Sequence, residues 1–311
     1  MRVLISGASG LVGSALASFL TARGDEISRL VRTPAPAKSA VFWNPESRII
    51  ESERLEDHDA VIHLAGESIA ARRWTAKQKA RILSSREQGT KLLCETLSRL
   101  RHPPRVVVSA SAIGYYGNRG DEELDESSPG GSGFLPQVCQ AWEAATEAAA
   151  RAGIRVVRLR FGIILSAHGG ALAKLLPFFR FGLGGRIGSG RQWMSWIAID
   201  DVVECIAHVL QQETFSGPVN AVTPKPVTNS TFVRTLAGLL RRPALLPLPA
   251  FVVRLLLGEM ADAMLLAGMR VVPRVLLASN YRFLFPDLDG ALQYLLGKTL
   301  PLVPAQKIQV A

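Results

Sequence analysis

The feature that most constrains the fold of this chain is a glycine-rich turn close to its N-terminus. Residues 2–6 form a short apolar run of strand type, and apolar positions resume at helical spacing after residue 13 and stop near Gly24. The turn between them reads Gly7-Ala8-Ser9-Gly10-Leu11-Val12-Gly13. Strand, glycine turn and helix in this order are typical of a dinucleotide site, in which the pyrophosphate binds the free N–H groups at the start of the helix.

Each glycine of the turn has a predicted role. Gly7 allows the tight turn, Gly10 lets the backbone approach a pyrophosphate, and Gly13 lets the helix pack against the sheet. The spacing is GxxGxxG instead of GxGxxG, so a glycine-rich surface turn is the alternative; the position between a strand and a helix favours the dinucleotide site. We therefore predict cofactor contacts from Gly7, Ser9, Gly10, Leu11, Val12 and Gly13.

Length and composition limit the class of protein. With 311 residues, 48% of them hydrophobic, the chain exceeds the usual single-domain size, and we expect one large domain and a smaller one. Charges at Arg254, Glu259 and Asp262 interrupt an apolar stretch, so no membrane span is predicted. The first strand starts at residue 2 with no cationic leader before it, and we expect a cytoplasmic protein without a membrane partner.

Cysteine usage and charge exclude further classes. Cys94, Cys139 and Cys205 are far apart, with no CxxC pair, which argues against a disulfide framework and predicts no metal site. The formal net charge is +10, but the arginines are spread over the whole length without a basic run or recognition module. This pattern favours a general solubility effect, or an anionic cofactor and substrate, over nucleic acid.

The end of the second predicted strand, residues 26–32, indicates which dinucleotide is bound. An acidic residue there would bind the ribose hydroxyls of NAD, whereas an arginine would meet the 2′-phosphate of NADP. The strand ends in Val31-Arg32, followed by Thr33-Pro34. Arg32, helped by Arg29, therefore favours NADP, and a plain exposed arginine is the alternative.

The next strand, residues 60–64, leads into small residues. Leu64, Ala65, Gly66 and Glu67 suit a backbone that passes beside a cofactor ribose at the carboxyl edge of a parallel sheet. His63 is expected to be structural. A basic helical segment opens at Arg73, and its Arg86 is predicted either to contact a cofactor phosphate or to be a solvated charge.

A buried strand then ends in the hydroxyls of Ser109 and Ser111 and is followed by Gly114-Tyr115-Tyr116-Gly117. Here the chain resembles the extended short-chain dehydrogenase/reductase group of NAD(P)-dependent sugar epimerases and dehydratases, and more closely its atypical "epimerase family" branch, which has a C-terminal helical extension. The similarity covers nearly the whole chain. Its other matching stretches are residues 6–13, 63–67, 182–193, 196–201 and 247–251.

The chain departs from the larger group in its catalytic signature. That signature is a serine or threonine followed by YxxxK, in which the tyrosine is the acid/base and the lysine lowers its pKa. Ser111 matches the serine, but Val138 stands at the tyrosine position and Trp142 at the lysine position, and no tyrosine or lysine occurs between Asn118 and Arg151. The branch that the chain resembles usually shows the same pattern.

Three explanations of this departure stay open. The protein binds NADP without the chemistry of the group, or it uses another proton donor, or the register of the comparison is wrong. Tyr116 could face Ser111 across the substrate, and a packed tyrosine is the alternative. The candidate donors are Glu67, Tyr115, Tyr116, Cys139 and Glu143.

The second half of the chain carries the predicted substrate contacts. A single buried strand is predicted over residues 155–165, and in the resembled fold Arg160 lies at its cofactor end, as a contact with nicotinamide or substrate. A basic loop from Gly182 to Gly190 can approach an anion closely. Arg186, Arg191 and Trp193 offer charge pairing and stacking to a nucleotide diphosphate, and a flexible surface loop is the alternative. Asp200 or Asp201 is predicted to cap the following helix.

The sequence thus predicts an α/β fold, a doubly wound parallel sheet of Rossmann type with a smaller C-terminal substrate lobe. Residues 1–165 would form the NADP-binding domain, residues 166–248 a substrate lobe interleaved with the last strands of the sheet, and residues 249–300 a C-terminal helical segment. A proline-marked linker over residues 243–249 separates that segment, whose methionine and leucine stripe is core or the face of a homodimer. Residues 301–311 are expected to form a loose tail.

Two functions follow from these observations. The first is an NADP(H)-dependent epimerase or oxidoreductase acting on a small molecule, a sugar nucleotide or a carbonyl compound, with Ser111 and Tyr116 in catalysis. The second is an NADP-binding sensor or scaffold without catalysis, which the residues Val138 and Trp142 would explain.

Overall fold

The computed structural model describes residues 1–37 and 39–298. Its centre is an eight-stranded sheet in the order β12-β8-β6-β5-β1-β2-β3-β4, in which every neighbouring pair is parallel except β3 with β4. The strands of the described chain are β1 (Arg2–Ser6), β2 (Glu26–Val31), β3 (Ala40–Asn44), β4 (Ile49–Ile50), β5 (Ala60–His63), β6 (Val106–Ala112), β7 (Glu123–Leu124), β8 (Arg155–Phe161), β9 (Ile163–Ser166), β10 (Trp193–Met194), β11 (Trp196–Ala198), β12 (Gly217–Ala221), β13 (Val227–Thr228) and β14 (Arg270–Val271).

Helices cover both faces of this sheet, so the predicted doubly wound fold is confirmed. Alternate strand residues such as Val3 and Leu4 pack into two different apolar clusters, one against α1 and α6 and the other against α2. The helices are α1 (Leu11–Ala22), α2 (Ala76–Leu97), α3 (Phe134–Ala144), α4 (Glu147–Arg151), α5 (Gly170–Arg180), α6 (Ile199–Gln211), α7 (Asn229–Leu240), α8 (Ala250–Leu257), α9 (Arg274–Ala278) and α10 (Leu288–Leu295). A π-helical segment, Ala261–Leu266, follows α8.

A separate apolar cluster holds the elements beyond the main sheet. Helices α5, α7 and α10 pack around Trp196, Phe232 and Phe285, while β11 pairs with β9 in parallel. Strand β12 returns to the edge of the main sheet, so these elements alternate in sequence with the sheet. The boundaries at residues 165 and 248 stay predictions, and the tail predicted over residues 301–311 lies outside the described residues.

The single strand predicted over residues 155–165 is wrong. The chain breaks at Gly162 into β8 and β9, which belong to different sheets. A Cβ on Gly162 would lie 2.6 Å from the carbonyl oxygen of Ser195, so the crossing of the two segments requires a glycine.

The predicted capping role of Asp200 or Asp201 is also wrong. Helix α6 begins at Ile199 with Ala198 as its N-cap. The buried Asp201 carboxylate instead accepts the backbone N–H groups of Leu284 at 2.7 Å and Phe285 at 3.0 Å. Tertiary contacts to a segment more than 80 residues away therefore take precedence over the local cap.

The predicted linker over residues 243–249 is bound to the glycine loop. The Leu248 N–H donates to the Arg186 carbonyl at 2.8 Å, and the Gly188 N–H donates to the Leu248 carbonyl at 2.9 Å. The linker thus joins the C-terminal segment to the loop instead of separating them. Among the described residues, no helix is both long enough and apolar enough to cross a membrane.

Candidate functional site

The carboxyl ends of the parallel strands bring the candidate residues to one edge of the sheet. Ser6 of β1 lies opposite His63 of β5, which lies opposite Ser109 of β6. Further along β6, Ser111 lies opposite Arg160 of β8, and Arg160 lies opposite Asn220 of β12. Open α/β sheets bind their ligands at this edge, so the register alone gathers side chains from five strands into a candidate site.

The glycine turn is the candidate cradle for an anion. Gly7 has a φ of +70°, and a Cβ there would lie 2.9 Å from the Ala65 nitrogen, while a Cβ on Gly13 would overlap the Gly7 carbonyl oxygen. The absence of a side chain at Gly13 therefore lets the start of α1 pack against the turn itself, and not against the sheet as predicted. Because the N-cap of α1 is Gly10, no capping side chain competes for the first N–H groups of the helix, those of Leu11 and Val12.

A buried hydrogen-bond network fixes the neighbouring strand exit. The Ser6 hydroxyl accepts the N–H groups of Leu64 at 3.1 Å and Ala65 at 3.2 Å, and lies 2.7 Å from His63 Nδ1. The Ser6 proton is thus directed to Nδ1, and Nε2–H of His63 donates to the Thr90 hydroxyl at 3.0 Å. Burial lowers the pKa of His63 to about 4, so the imidazole is neutral at pH 7 and serves the backbone geometry.

Arg32 directly follows β2 at the same edge as the glycine turn. Strands β1 and β2 are parallel, with Ser6 opposite Leu30, so Arg32 lies two residues beyond the end of this pairing. Its side chain is exposed, and among the described residues it forms no ion pair. The preceding Val31 is half-buried against β3.

Arg86 is built into the wall of the site. Its Nη1 donates to the Glu67 carbonyl at 2.9 Å, and its guanidinium lies 4.8 Å from the ring centre of Trp142. A Cβ on Gly66 would approach the guanidinium carbon to 3.3 Å, which shows how closely the chain passes over Arg86. Burial lowers the pKa of Arg86. The alternative that Arg86 is a solvated charge is therefore wrong.

Ser111, Glu143 and Arg160 form a buried charged cluster. The Ser111 hydroxyl donates to Glu143 Oε1 at 2.7 Å. Arg160 donates to the same carboxylate through Nε to Oε1 and through Nη2 to Oε2, both at 2.8 Å. Burial alone would lower the pKa of Arg160, but the Glu143 carboxylate outweighs it and the pKa is raised. Because the Ser111 proton is directed to Glu143, the serine oxygen presents its lone pairs to any further partner.

Tyr116 extends this cluster into the protein interior. Its hydroxyl accepts from Arg160 Nη1 at 2.9 Å and donates to Asn220 Oδ1 at 2.8 Å. The ring is fully buried, and burial raises the pKa of Tyr116 to about 12. Tyr115 instead places its ring 3.5 Å from the Arg160 guanidinium carbon. The Tyr116 hydroxyl is thus engaged on both sides within the protein.

Helix α3 supplies the residues at the positions of the missing tyrosine and lysine. Val138 and Trp142 are both buried, and the Trp142 indole nitrogen has no hydrogen-bond partner within residues 1–37 and 39–298. Burial also raises the pKa of the Cys139 thiol to about 12, so it is protonated at pH 7. Ser109 is buried, with its hydroxyl bonded to the Ala110 carbonyl at 3.3 Å.

The three predicted substrate residues lie on the glycine loop and just after it. Arg186 and Arg191 are exposed, and Trp193 is half-buried, with its indole N–H donating to Asp121 at 2.7 Å. A cavity of about 490 Å³ opens beside Tyr116. The residues that line it are Tyr116, Asn118, Arg119, Gly130, Gly131 and Ser132.

Sequence reasoning missed part of this arrangement. Asn220 was not singled out, although a polar residue inside the buried strand Gly217–Ala221 was a signal. Asn118 and Arg119 carry no motif that could have identified them. Glu143 and Arg160 were both candidates, but their pairing depends on how α3 packs beside β8.

Two family models match this chain. The model described as the NAD dependent epimerase/dehydratase family matches residues 3–221. A second model, described as a domain of unknown function, DUF1731, matches residues 248–295. Together these two matches include the main sheet, the glycine turn and the C-terminal segment that begins at the linker.

Known proteins resemble the chain over most of its length. An epimerase family protein of Mycobacterium leprae is 41% identical over 293 residues, which cover 94% of each chain. The crystal structure of human epimerase family protein SDR39U1 (isoform 2) with NADPH is 37% identical, with a TM-score of 0.89, and the match covers 96% of this chain and 100% of that one. A nucleoside-diphosphate sugar epimerase from Corynebacterium glutamicum is 35% identical, with a TM-score of 0.81, over 98% of this chain and 60% of that longer one.

Proposed function

The chain belongs to the NAD dependent epimerase/dehydratase family, and we propose on this basis that it binds NADPH and acts as an epimerase or oxidoreductase on a small-molecule substrate. The observation that carries the proposal is the glycine turn at the uncapped start of α1, with Arg32 at the same edge of the sheet. The human relative with a TM-score of 0.89 was crystallised with NADPH, which supports the same cofactor here.

The residues of this edge fit a dinucleotide phosphate. The absence of a Cβ at Gly7 and Gly13 lets the turn close tightly, and the first N–H groups of α1 suit a pyrophosphate. The exposed Arg32 guanidinium suits the 2′-phosphate, for which a cation is needed. The remaining proposed contacts lie along the strand exits and the wall beside them: Ser9, Val31, Leu64, Ala65, Gly66, Glu67, Arg86, Ser109 and Arg160. When bound, NADPH would supply the hydride chemistry.

We assign Ser111 to orienting the reacting group of the substrate. Since its proton is directed to Glu143, the serine oxygen would accept a hydrogen bond from a substrate hydroxyl more readily than it would donate one to a carbonyl. Arg160 holds both oxygens of the Glu143 carboxylate and thereby fixes this orientation. Tyr116, with both sides of its hydroxyl engaged, acts as a positioning residue for Arg160.

The substrate would carry an anionic group such as a nucleotide diphosphate. Arg186 and Arg191 project from the glycine loop into solvent, where they can pair with phosphate oxygens. The half-buried ring of Trp193 is held by its bond to Asp121, and the Arg270 guanidinium lies over it at 5.0 Å from the ring centre. The opposite face of the ring is the one proposed for stacking. The cavity of about 490 Å³ beside Tyr116 is large enough for a small molecule, although none of Ser111, Arg186, Arg191 and Trp193 lines it.

The cofactor is tested by calorimetric titration with NADPH and NADH, after removal of any nucleotide that co-purifies. Arg32→Ala should weaken NADPH binding by about 10- to 100-fold, the value of a charge-assisted hydrogen bond, and leave NADH binding unchanged. Arg99→Ala removes an exposed arginine after the end of α2 and should alter neither. Equal affinity of the native protein and Arg32→Ala for NADPH would refute the role of Arg32.

A catalytically silent NADPH-binding sensor is the second candidate function. It is favoured by the apolar Val138 and Trp142 at the positions of the tyrosine and lysine and by the engaged hydroxyl of Tyr116. The two functions are separated with a panel of substrates in two assays. Oxidation of bound NADPH, followed spectroscopically, reports reduction of carbonyl compounds, and chromatography of sugar nucleotides incubated with the NADP⁺-loaded protein reports epimerisation, which regenerates the cofactor in each cycle. Turnover that is lost in Ser111→Ala would support the enzyme, whereas tight NADPH binding without turnover across the panel would support the sensor.

A further inference from the structure

Exposed large hydrophobic side chains are concentrated in two stretches of the chain. Of the twelve such residues in the described chain, nine lie between Phe178 and Leu183 or between Leu245 and Leu256. Six of them define what we call the apolar face: Phe178, Phe181, Leu245, Leu246, Phe251 and Leu255. Their exposed fractions run from 57% to 82%, so these side chains protrude from the surface. Soluble proteins seldom expose so many large apolar groups together unless the surface binds something.

The two stretches that form the apolar face are held side by side. A Cβ on Gly182 would lie 3.5 Å from the ring of Pro243, and Leu248 bonds to both Arg186 and Gly188 through the backbone. Helix α8 begins two residues after Leu248 and exposes Phe251 and Leu255, which are one helical turn apart. The face therefore continues from the end of α5 across the linker onto α8.

The two stretches that form this face carry basic residues and no acidic ones, although Asp262 pairs with Arg254 of α8 at 2.9 Å. No aspartate or glutamate occurs between Glu147 and Asp200, or between Glu213 and Glu259, and the apolar face is built entirely from these two stretches. Three exposed arginines stand beside its apolar residues, namely Arg180, Arg241 and Arg242. Within the described part of the chain, none of the three forms an ion pair with a carboxylate.

We propose that the apolar face docks on an anionic lipid surface. Protruding phenylalanine and leucine side chains can enter the boundary between headgroups and acyl chains, while neighbouring arginines pair with lipid phosphates. A second copy of this chain is disfavoured as the partner, because self-association would bring the same unpaired arginines together. The sequence predicted no membrane partner because it contains no membrane-spanning stretch. That observation concerns a chain that crosses the bilayer, and it does not bear on a protein that binds the bilayer surface.

Binding of the full chain to lipid is tested by flotation with two kinds of vesicle. One consists of phosphatidylcholine alone, and the other contains about a third phosphatidylglycerol, which gives its surface a negative potential. The native protein should float with the anionic vesicles, should stay behind with the neutral ones, and should be released by salt. Phe181→Ser combined with Leu245→Ser should reduce the bound fraction about tenfold or more, since two large apolar groups are lost. Arg180→Gln combined with Arg242→Gln should do the same.

Matched controls exist elsewhere on the surface. Ile49→Ser removes an exposed apolar side chain at the far edge of the sheet, and Arg99→Gln combined with Arg101→Gln removes two exposed arginines. Both should bind vesicles like the native protein. Circular dichroism and the thermal midpoint of each variant show whether it is folded, so the result is independent of any cofactor or activity.

Three outcomes would overturn the proposal. The first is a native protein that binds neither kind of vesicle. The second is binding that the control arginine variant weakens as much as Arg180→Gln with Arg242→Gln does, which indicates general charge attraction. The third is a dimer in analytical ultracentrifugation that Phe181→Ser with Leu245→Ser dissociates while no vesicles are bound, which would assign the apolar face to self-association.

Discussion

The carboxylate of Glu143 and the guanidinium of Arg160 form a two-point ion pair in the protein interior, with both nitrogen–oxygen distances at 2.8 Å. Their side chains are only 7% and 4% exposed. Two charges can be buried in this way only if each satisfies the other, and Ser111 and Tyr116 complete their hydrogen bonding. The pair connects α3, which lacks the tyrosine and lysine of the larger group, to the strand ends where the substrate is proposed to bind.

Removing one charge of this pair should destabilise the fold strongly. Glu143→Gln leaves the Arg160 guanidinium buried without a counter-charge, and we expect the free energy of unfolding to fall by about 3–5 kcal/mol. Lys225→Gln breaks an exposed ion pair with Asp287 and should cost less than about 1 kcal/mol. Urea denaturation of the two variants measures the difference. Similar losses in both would show that Glu143 and Arg160 are not desolvated as described.

The hydroxyl of Tyr116 should contribute to stability. Tyr116→Phe leaves Asn220 Oδ1 without its donor and removes an acceptor from Arg160, so we expect a loss of about 1–3 kcal/mol in the free energy of unfolding. Tyr115→Phe changes a neighbouring ring whose contact with Arg160 is through its face, and should alter stability by less than about 0.5 kcal/mol. Chemical denaturation compares them. An equal effect of the two substitutions would contradict the buried hydrogen bonds of Tyr116.

A methyl group at Gly13 should disrupt the turn. In Gly13→Ala the new Cβ would overlap the Gly7 carbonyl oxygen, and we expect a loss of about 1–3 kcal/mol in stability together with loss of NADPH binding. Gly238→Ala is the matched control, because a Cβ at this exposed position of α7 meets no atom within 4 Å. It should raise stability by up to about 1 kcal/mol through helix propensity. Thermal unfolding and calorimetric titration measure both effects, and unimpaired NADPH binding by Gly13→Ala would refute the proposed cradle.

His63 should make stability depend on pH in the acid range. Its pKa is lowered to about 4 in the folded protein, so the unfolded chain takes up a proton first as the pH falls below about 6.5. The stability that the neutral imidazole contributes is therefore complete above about pH 6.5 and is lost as the pH falls towards 4, by about 3 kcal/mol in total. We expect the difference in unfolding free energy between native protein and His63→Gln to shrink by this amount between pH 7 and pH 4.

The control for this titration is His102→Gln. The His102 side chain is 72% exposed and lies 3.2 Å from an exposed Asp57 carboxylate, so its replacement should change stability by less than about 0.5 kcal/mol. If the difference between native protein and His63→Gln stays constant across the range, the imidazole is not buried as a neutral group. Denaturant unfolding at pH 4, 5, 6 and 7 provides the comparison.

The sequence by itself determined the features that depend on local order along the chain. Strand, glycine turn and helix follow each other within 22 residues, so residue spacing and backbone freedom were enough to predict this first unit of the sheet, at which the cofactor site is proposed. The doubly wound sheet as a whole was predicted from this unit together with the family resemblance. The absence of a tyrosine and a lysine between Asn118 and Arg151 was likewise visible in the sequence alone. Cofactor preference was inferred from the position of Arg32 at the end of β2.

Only the tertiary structure decided which distant groups meet. Glu143 pairs with Arg160, Tyr116 bonds to Asn220 from 104 residues away, and Asp201 binds a backbone segment instead of capping its own helix. The apolar face likewise exists only because the linker pairs with the glycine loop. Such contacts depend on strand register and helix packing, in which a shift of one residue redirects every side chain. The periodicity of one segment does not reveal which residues of another segment will pack against it.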